Sequence, residues 1–169
     1  MERIVVQPMR PEDVDAVVKI YREVFDGIYV GFGELAAGMG IAPGVPSENA
    51  PTLFREELNG LLIADLSNGL FVACQGNTIV GFAVAVLHQT SGGLECWLND
   101  LGVSRDWQRQ GVGRMLVERA FTWAIQEKGA RYCLLESGVR NEAAHSFFEE
   151  MGFQPLSTVF WKEDNPSRS

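Results

Sequence analysis

Residues 98–114 read LNDLGVSRDWQRQGVGR, and this stretch decides the architecture. Leu98 to Val103 ends a strand pattern and a polar turn follows. Gly111-Val112-Gly113 then opens a helix to Lys128, with Val112, Leu116, Ala120, Trp123 and Ala124 on one face. Glycines at such a turn let the backbone approach a ligand closely, and the first N–H groups of a helix lack partners inside it. Those donors and the positive end of the helix dipole favour an anion, reinforced by Arg109 and Arg114. Pyrophosphate is the natural occupant.

Two commoner nucleotide motifs fail here. A Walker loop needs Lys and then Ser or Thr after its last glycine, whereas Arg114-Met115 follows Gly113. A dinucleotide fingerprint needs a third Gly or Ala, and Leu116 stands in its place. A second match, Gly31-Phe32-Gly33 with Ala36, is followed by Gly38, Gly40, Pro43 and Pro46, which forbid the long helix it requires. A bare strand-to-helix turn would also explain Gly111 and Gly113 taken alone.

Working outward, residues 3–7 form a strand and Pro11 opens a helix reaching about Asp26, with Val14, Val17, Val18, Tyr21, Val24 and Phe25 at three- and four-residue spacing. Residues 27–51 are Gly- and Pro-rich, too long for a plain connection and typical of functional loops. A short helix through Leu53, Leu58 and Leu61 follows. Leu70–Cys74 and Thr78–His88 flank a Gly76-Asn77 turn as a hairpin, and Ser91-Gly92-Gly93 leads into the strand Leu94–Val103. Beyond the long helix, Tyr132–Leu135 is a strand, Asn141–Met151 a helix, and 157–162 (STVFWK) a last strand before a tail, with 162–169 assigned to that tail. The expectation is one α/β (α+β) domain over residues 1–169, built on a single mixed sheet flanked by helices.

Composition narrows the function. The chain has 169 residues, 46% hydrophobic and 21% charged, with a formal net charge of −8, which argues against nucleic acid and anionic membranes as partners. Residues 1–65 carry 5 Lys/Arg against 11 Asp/Glu, so most of the negative charge lies there. The start, MERIVVQPMR, holds no apolar run of signal-peptide length and no membrane span follows, which predicts a cytoplasmic protein. Cys74, Cys96 and Cys133 lie in apolar runs and read as reduced, buried thiols; no His or second Cys stands at metal-ligand spacing, so no metal is expected.

The central segment resembles motif A of the GNAT acetyltransferases, Gln/Arg-x-x-Gly-x-Gly/Ala, as Gln108-Arg109-Gln110-Gly111-Val112-Gly113. Leu101-Gly102-Val103 matches the strand end before that motif. Residues 141–153 (NEAAHSFFEEMGF) match the family's Asn-x-x-Ala-x-x-x-Tyr-x-x-x-Gly-Phe signature, with Phe148 at the Tyr position. Glu95–Glu118 is similar to ribosomal-protein N-terminal alanine acetyltransferases, and the C-terminal run to aminoglycoside 6′-N-acetyltransferases.

The resemblance implies acetyl transfer from acetyl-CoA to a primary amine by direct attack in a ternary complex, and dimers are common among similar proteins. It implies that Leu101 and Val103 pair with the pantetheine arm, that Gln108, Arg109, Gln110, Gly111, Val112, Gly113 and Arg114 hold the pyrophosphate, and that Asn141 contacts the pantetheine. A base must deprotonate the amine. Glu95, eight residues before Val103, stands where some members place a catalytic Glu, and Asp100 is the second candidate. Strand alternation sets Asp100 on the opposite face from Glu95, unless a bulge intervenes. Phe148 cannot protonate the departing thiolate, which leaves solvent, His145 or no group at all. Trp97, Trp107, Trp123 and Trp161 read as packing residues. A CoA-binding regulatory module without turnover is the alternative function. The acids Glu34, Glu48, Glu56 and Glu57 suit a cationic acceptor.

Overall fold

The computed structural model describes residues 2–64 and 68–162; the expected tail beyond Lys162 lies outside them. The edge strand β1 (Ile4–Pro8) tolerates its proline because the N–H lost there belongs to a strand end. A 3-10 turn started by Pro11 leads into α1 (Val14–Val24), whose Val14, Val17, Val18, Ile20 and Tyr21 are buried. The Gly- and Pro-rich stretch breaks into small pieces: a 3-10 turn at Gly27–Tyr29, the five-residue helix α2 (Phe32–Ala36), and a hairpin of β2 (Gly40–Ala42) with β3 (Val45–Pro46). α3 (Ala50–Ile63) then buries Ala50, Phe54 and Leu58.

The antiparallel meander β4 (Asn68–Gln75), β5 (Thr78–Thr90) and β6 (Gly93–Val103) forms the centre of the sheet. α4 (Val112–Thr122) crosses the sheet, and its last turn widens to π spacing at Trp123–Glu127 before Gly129 ends it. It leads to β7 (Cys133–Leu135), which pairs parallel to β6, and α5 (Glu142–Glu150) follows. The sheet order is β1-β4-β5-β6-β7, antiparallel except for the last pair. This is the expected mixed α/β arrangement.

One apolar layer lies between the sheet and α1 and α3, built on Val17, Tyr21, Phe54, Leu58, Val72, Phe82 and Val84. The other lies beneath α4 and α5, built on Ala83, Ala85, Cys96, Leu98, Val112, Leu116, Val117 and Trp123.

The strand expected at 157–162 does not form. Residues 154–162 take no regular structure, with Leu156 81% and Phe160 93% exposed. The apolar pattern of STVFWK supplies propensity, but a strand also needs a partner ladder, and this segment meets none among the described residues.

Candidate active site

The site is built around a fork in the sheet. β6 and β7 pair only through Cys96–Leu98 with Cys133–Leu135, and from Asn99 to Val103 the β7-facing edge of β6 has no partner strand among the described residues. At the same point β6 carries a bulge: Leu98 pairs with Ala85 and Asp100 with Val84, leaving Asn99 as the extra residue.

The bulge changes which side chains face which helices. Cys96, Leu98, Leu101 and Val103 pack with the α4 layer, whereas Gly102 lies against Phe82 of the α1/α3 layer. Asp100 therefore shares the α1/α3 face with Glu95 and Trp97. Simple alternation, which separates Glu95 from Asp100, is corrected by the one-residue insertion at Asn99.

Beyond β6 the chain turns through a 3-10 segment at Arg105–Trp107 into the glycine-rich turn. Among the described residues, the backbone N–H groups of Arg109, Gln110, Gly111, Val112, Gly113 and Arg114 donate to no carbonyl or side chain in hydrogen-bonding geometry. Six successive free donors make a cradle of the kind that can receive an anion. Gly111 holds φ +83 as the cap of α4, a conformation that disfavours any Cβ. Arg109 adopts φ +59, the one non-glycine residue in the left-handed region among those described. Side chains brace the turn: Gln108 Nε2 donates to the Val103 carbonyl at 3.0 Å, and Gln110 Nε2 to that of Asp106 at 2.7 Å. Gln108 and Gln110 thus fix the loop through their side chains and leave its backbone free. Arg114 lies 3.9 Å from Glu150.

On the α1/α3 face the fork meets a cluster of acids. Burial, joined by the charges of Glu57 and Glu34, pushes the Asp100 carboxyl up to about 8. Glu34 is raised by burial, opposed by its own backbone hydrogen bonds and assisted by Glu136; Glu57 is raised by burial. Tyr21 is raised by burial and by the same carboxylates. The acids come from four places in the chain. Glu34 lies on α2, where it accepts from Gly31 N at 2.8 Å, Glu57 on α3, and Asp100 on β6. Glu136, just past β7, accepts from Phe32 N at 2.6 Å. Glu48 and Glu56, the other two acids expected on this side, are exposed.

Glu95 sits on the closed arm of the fork, paired with His88. Its two oxygens accept from Trp97 Nε1 at 3.1 Å and Tyr132 Oη at 3.0 Å. Five strand positions separate it from Asp100, roughly 16 Å along the chain. Asn141 is buried and caps α5, its Oδ1 accepting from Ala144 N at 3.2 Å while Nδ2 has no partner among the described residues. Phe148 stands edge-on to Phe147 and Phe153, with centroids 5.1 and 5.6 Å away, and packs against the α4 layer. Trp107 and Trp123 pack in the same layer, whereas Trp161 is 52% exposed. Among the described residues no group of three His, Cys, Asp or Glu is placed to hold a metal, and no helix is long and apolar enough to cross a membrane.

Sequence reasoning missed two carboxylates, Glu136 and Glu23. The only local signal for Glu136 is its place directly after a short strand. Glu23, the penultimate residue of α1, looks like ordinary helix surface until its contacts with Ser104 and Arg105 are seen.

The profile of the acetyltransferase (GNAT) family matches residues 27–153, which contain the fork, the cradle and all four acids of the cluster. The chain belongs to this family. It is a GNAT N-acetyltransferase, similar at 34% identity over 113 residues to aminoglycoside N(6′)-acetyltransferase type 1 of Stenotrophomonas maltophilia, covering 63% of this chain and 72% of that protein. The N-acetyltransferase YhdJ of Bacillus subtilis (strain 168) is 34% identical over 71 residues, 41% of this chain and 49% of the relative. The GNAT fold extends to solved structures of low identity. The aminoglycoside N-acetyltransferase AAC(6′)-Iy in complex with CoA superposes with TM-score 0.71 at 16% identity, covering 97% of this chain and 96% of that one. The aminoglycoside acetyltransferase meta-AAC0020 from an uncultured soil metagenomic sample, in complex with sisomicin, gives 0.65 at 19%, covering 96% and 97%.

Proposed function

We propose that this N-acetyltransferase moves the acetyl group of acetyl-CoA to a primary amine on a polycationic small molecule of the aminoglycoside kind, by direct attack in a ternary complex. The observation that carries the reading is the pairing of two opposite chemistries across one fork. A cradle of free N–H groups lies at the end of β6, and half-buried carboxylates (Asp100, Glu57 and Glu34) line the α1/α3 face of the sheet. Pyrophosphate suits the first and an ammonium the second.

In this reading the N–H groups of Arg109 to Arg114 hold the pyrophosphate, with Arg109 and Arg114 adding charge, and the open edge of β6 at Leu101 and Val103 pairs with the pantetheine arm. Asn141 Nδ2 donates to that arm. Asp100 is the base. Its pKa of about 8 lies close to the working range, and a bound ammonium offsets the repulsion from Glu57 and Glu34, favouring the ionised form that accepts a proton. Asp100 takes the first proton of the ammonium, the free amine attacks the thioester carbon, and the C–S bond breaks. The departing thiolate carries away the second proton, so no acid is required at Phe148. Glu95, with both oxygens engaged, buttresses the closed arm of the fork.

The Stenotrophomonas maltophilia relative and meta-AAC0020, both aminoglycoside acetyltransferases, support this choice of acceptor. Thiol release with acetyl-CoA is measured against an aminoglycoside, a linear polyamine and an acidic peptide at two salt concentrations. We expect the aminoglycoside to react fastest and its kcat/KM to fall as salt screens the acid cluster. Equal rates for all three, or a best rate with the acidic peptide, would overturn the proposal.

A further inference from the structure

One carboxylate ties the two halves of the site together. Glu23 Oε1 and Oε2 each lie 3.1 Å from the Ser104 hydroxyl, which donates to them, and Oε1 also accepts from the backbone N–H of Arg105 at 2.5 Å. These bonds join residues 81 and 82 positions apart in the chain, from the last turn of α1 to the first residues after β6. Ser104 is otherwise held by its own backbone, which donates to the Val80 carbonyl at 3.0 Å and accepts from Trp107 N at 2.8 Å. The chain then runs through the 3-10 turn directly into the cradle.

Glu23 is an odd choice on charge alone. A carboxylate placed at the entrance to an anion site opposes the anion it is meant to hold. What it supplies is direction. The first residues of a 3-10 turn have unpartnered N–H groups, and a side-chain acceptor there fixes where the segment starts and how it is aimed. Two residues earlier on the same helix, Tyr21 faces Asp100 and the acids of the acceptor side.

We infer that Glu23 is a positioning residue for the co-substrate: by holding Ser104 and Arg105 it sets the orientation of the 109–114 cradle and fastens that cradle to the helix lining the acceptor side. This rests on the reading of CoA as the ligand of the cradle. Glu23 touches no reacting atom; it acts through the loop it anchors.

CoA binding to the full chain is measured by titration calorimetry, with thermal melting of each variant. Glu23→Ala is expected to bind CoA about tenfold more weakly, the scale of one lost hydrogen bond to a charged group. Glu23→Gln keeps an acceptor and drops the opposing charge, so it is expected to bind at the parent level or more tightly. Ser104→Ala is expected to weaken binding, and adding it to Glu23→Ala should cost nothing further, because the two residues act as one unit. Val17→Ala, a cavity on the buried face of the same helix, controls for lost stability: it should lower Tm and leave CoA affinity unchanged. Unchanged affinity in Glu23→Ala, equal losses in the Ala and Gln variants, or additive losses in the double variant would each overturn the inference. If Glu23→Ala fails to fold, unchanged affinity in Ser104→Ala overturns it. A parent chain that does not bind CoA overturns the co-substrate reading itself, a result distinct from all of these.

Discussion

The carboxyl of Glu57 on α3 raises the pKa of Asp100 on β6, adding a charge effect to burial, the larger cause, so that Asp100 is pushed up to about 8. The coupling gives the base a signature in the pH profile. With acetyl-CoA saturating, kcat/KM for the acceptor is expected to rise with pH and level off above about 8. The Glu57→Gln variant should move this limb to lower pH. Acceptors of different amine pKa separate the cases: a limb that follows the acceptor and ignores Glu57 means that Asp100 is not the titrating base.

The same shift makes a stability prediction with a definite sign. Folded Asp100 keeps its proton up to about 8, while the unfolded chain loses it in the ordinary carboxylate range. Between those limits the native state binds more protons, so stability falls as pH rises through the window. Asp100→Asn, always neutral, removes this slope. We expect its Tm at pH 8.5 to exceed the parent's by about 3 °C, what roughly 1 kcal/mol does in a chain of this size, with turnover lost. A variant that melts below the parent at that pH contradicts the burial argument.

Gly111→Ala and Gly113→Asp test the cradle in different ways. Gly111 has open space where a Cβ would project but holds φ +83, so alanine costs roughly 1 kcal/mol of backbone strain and reorients the turn. Gly113→Asp places a negative charge among the free N–H groups. CoA should raise the parent's melting temperature by mass action, raise that of Gly111→Ala less, and leave Gly113→Asp unmoved. A full parental shift in Gly113→Asp would show that the anion sits elsewhere.

Gly102 is required by a ring. Its cross-strand partner Phe82 is buried, and a Cβ at 102 would run into the edge of that ring, well inside van der Waals contact. Gly102→Ala is expected to cost roughly 1–3 kcal/mol by overpacking and to displace the neighbouring Leu101 and Val103. Chemical denaturation measures the loss. Phe82→Leu in the same background should recover part of it, and a purely additive double variant would place the strain elsewhere.

What could be read from the chain was whatever its local pattern determines. The faces of α1 and α4 follow from the spacing of Val14, Val17, Tyr21 and of Val112, Leu116, Ala120, and the β4–β5 turn from Gly76-Asn77. The glycine-rich turn was legible for the same reason: its chemistry lies within six consecutive residues. The orientation of Asp100 was not, because it depends on how β6 registers against β5 and nothing in LNDLG marks Asn99 as the extra residue. Glu136 meets Phe32 across 104 positions, a contact that only the folded chain brings about. The failure at 157–162 has the converse cause, since residues suited to a strand still need a neighbour to pair with.

The fork also bears on the order in which the molecule assembles. β4, β5 and β6 are joined by tight turns and pair locally, whereas β7 reaches the sheet only after the α4 crossover and holds it through three residue pairs. Contacts of long sequence separation close a larger loop before they gain anything, so β7 is expected to dock after the meander, and its ladder of only three pairs to open readily. Amide hydrogens of Cys133–Leu135 should therefore exchange well before those at the centre of β5. The fork that separates β6 from β7 lies at the shortest ladder of the five-stranded sheet, and a molecule seated there would close that seam as it bound.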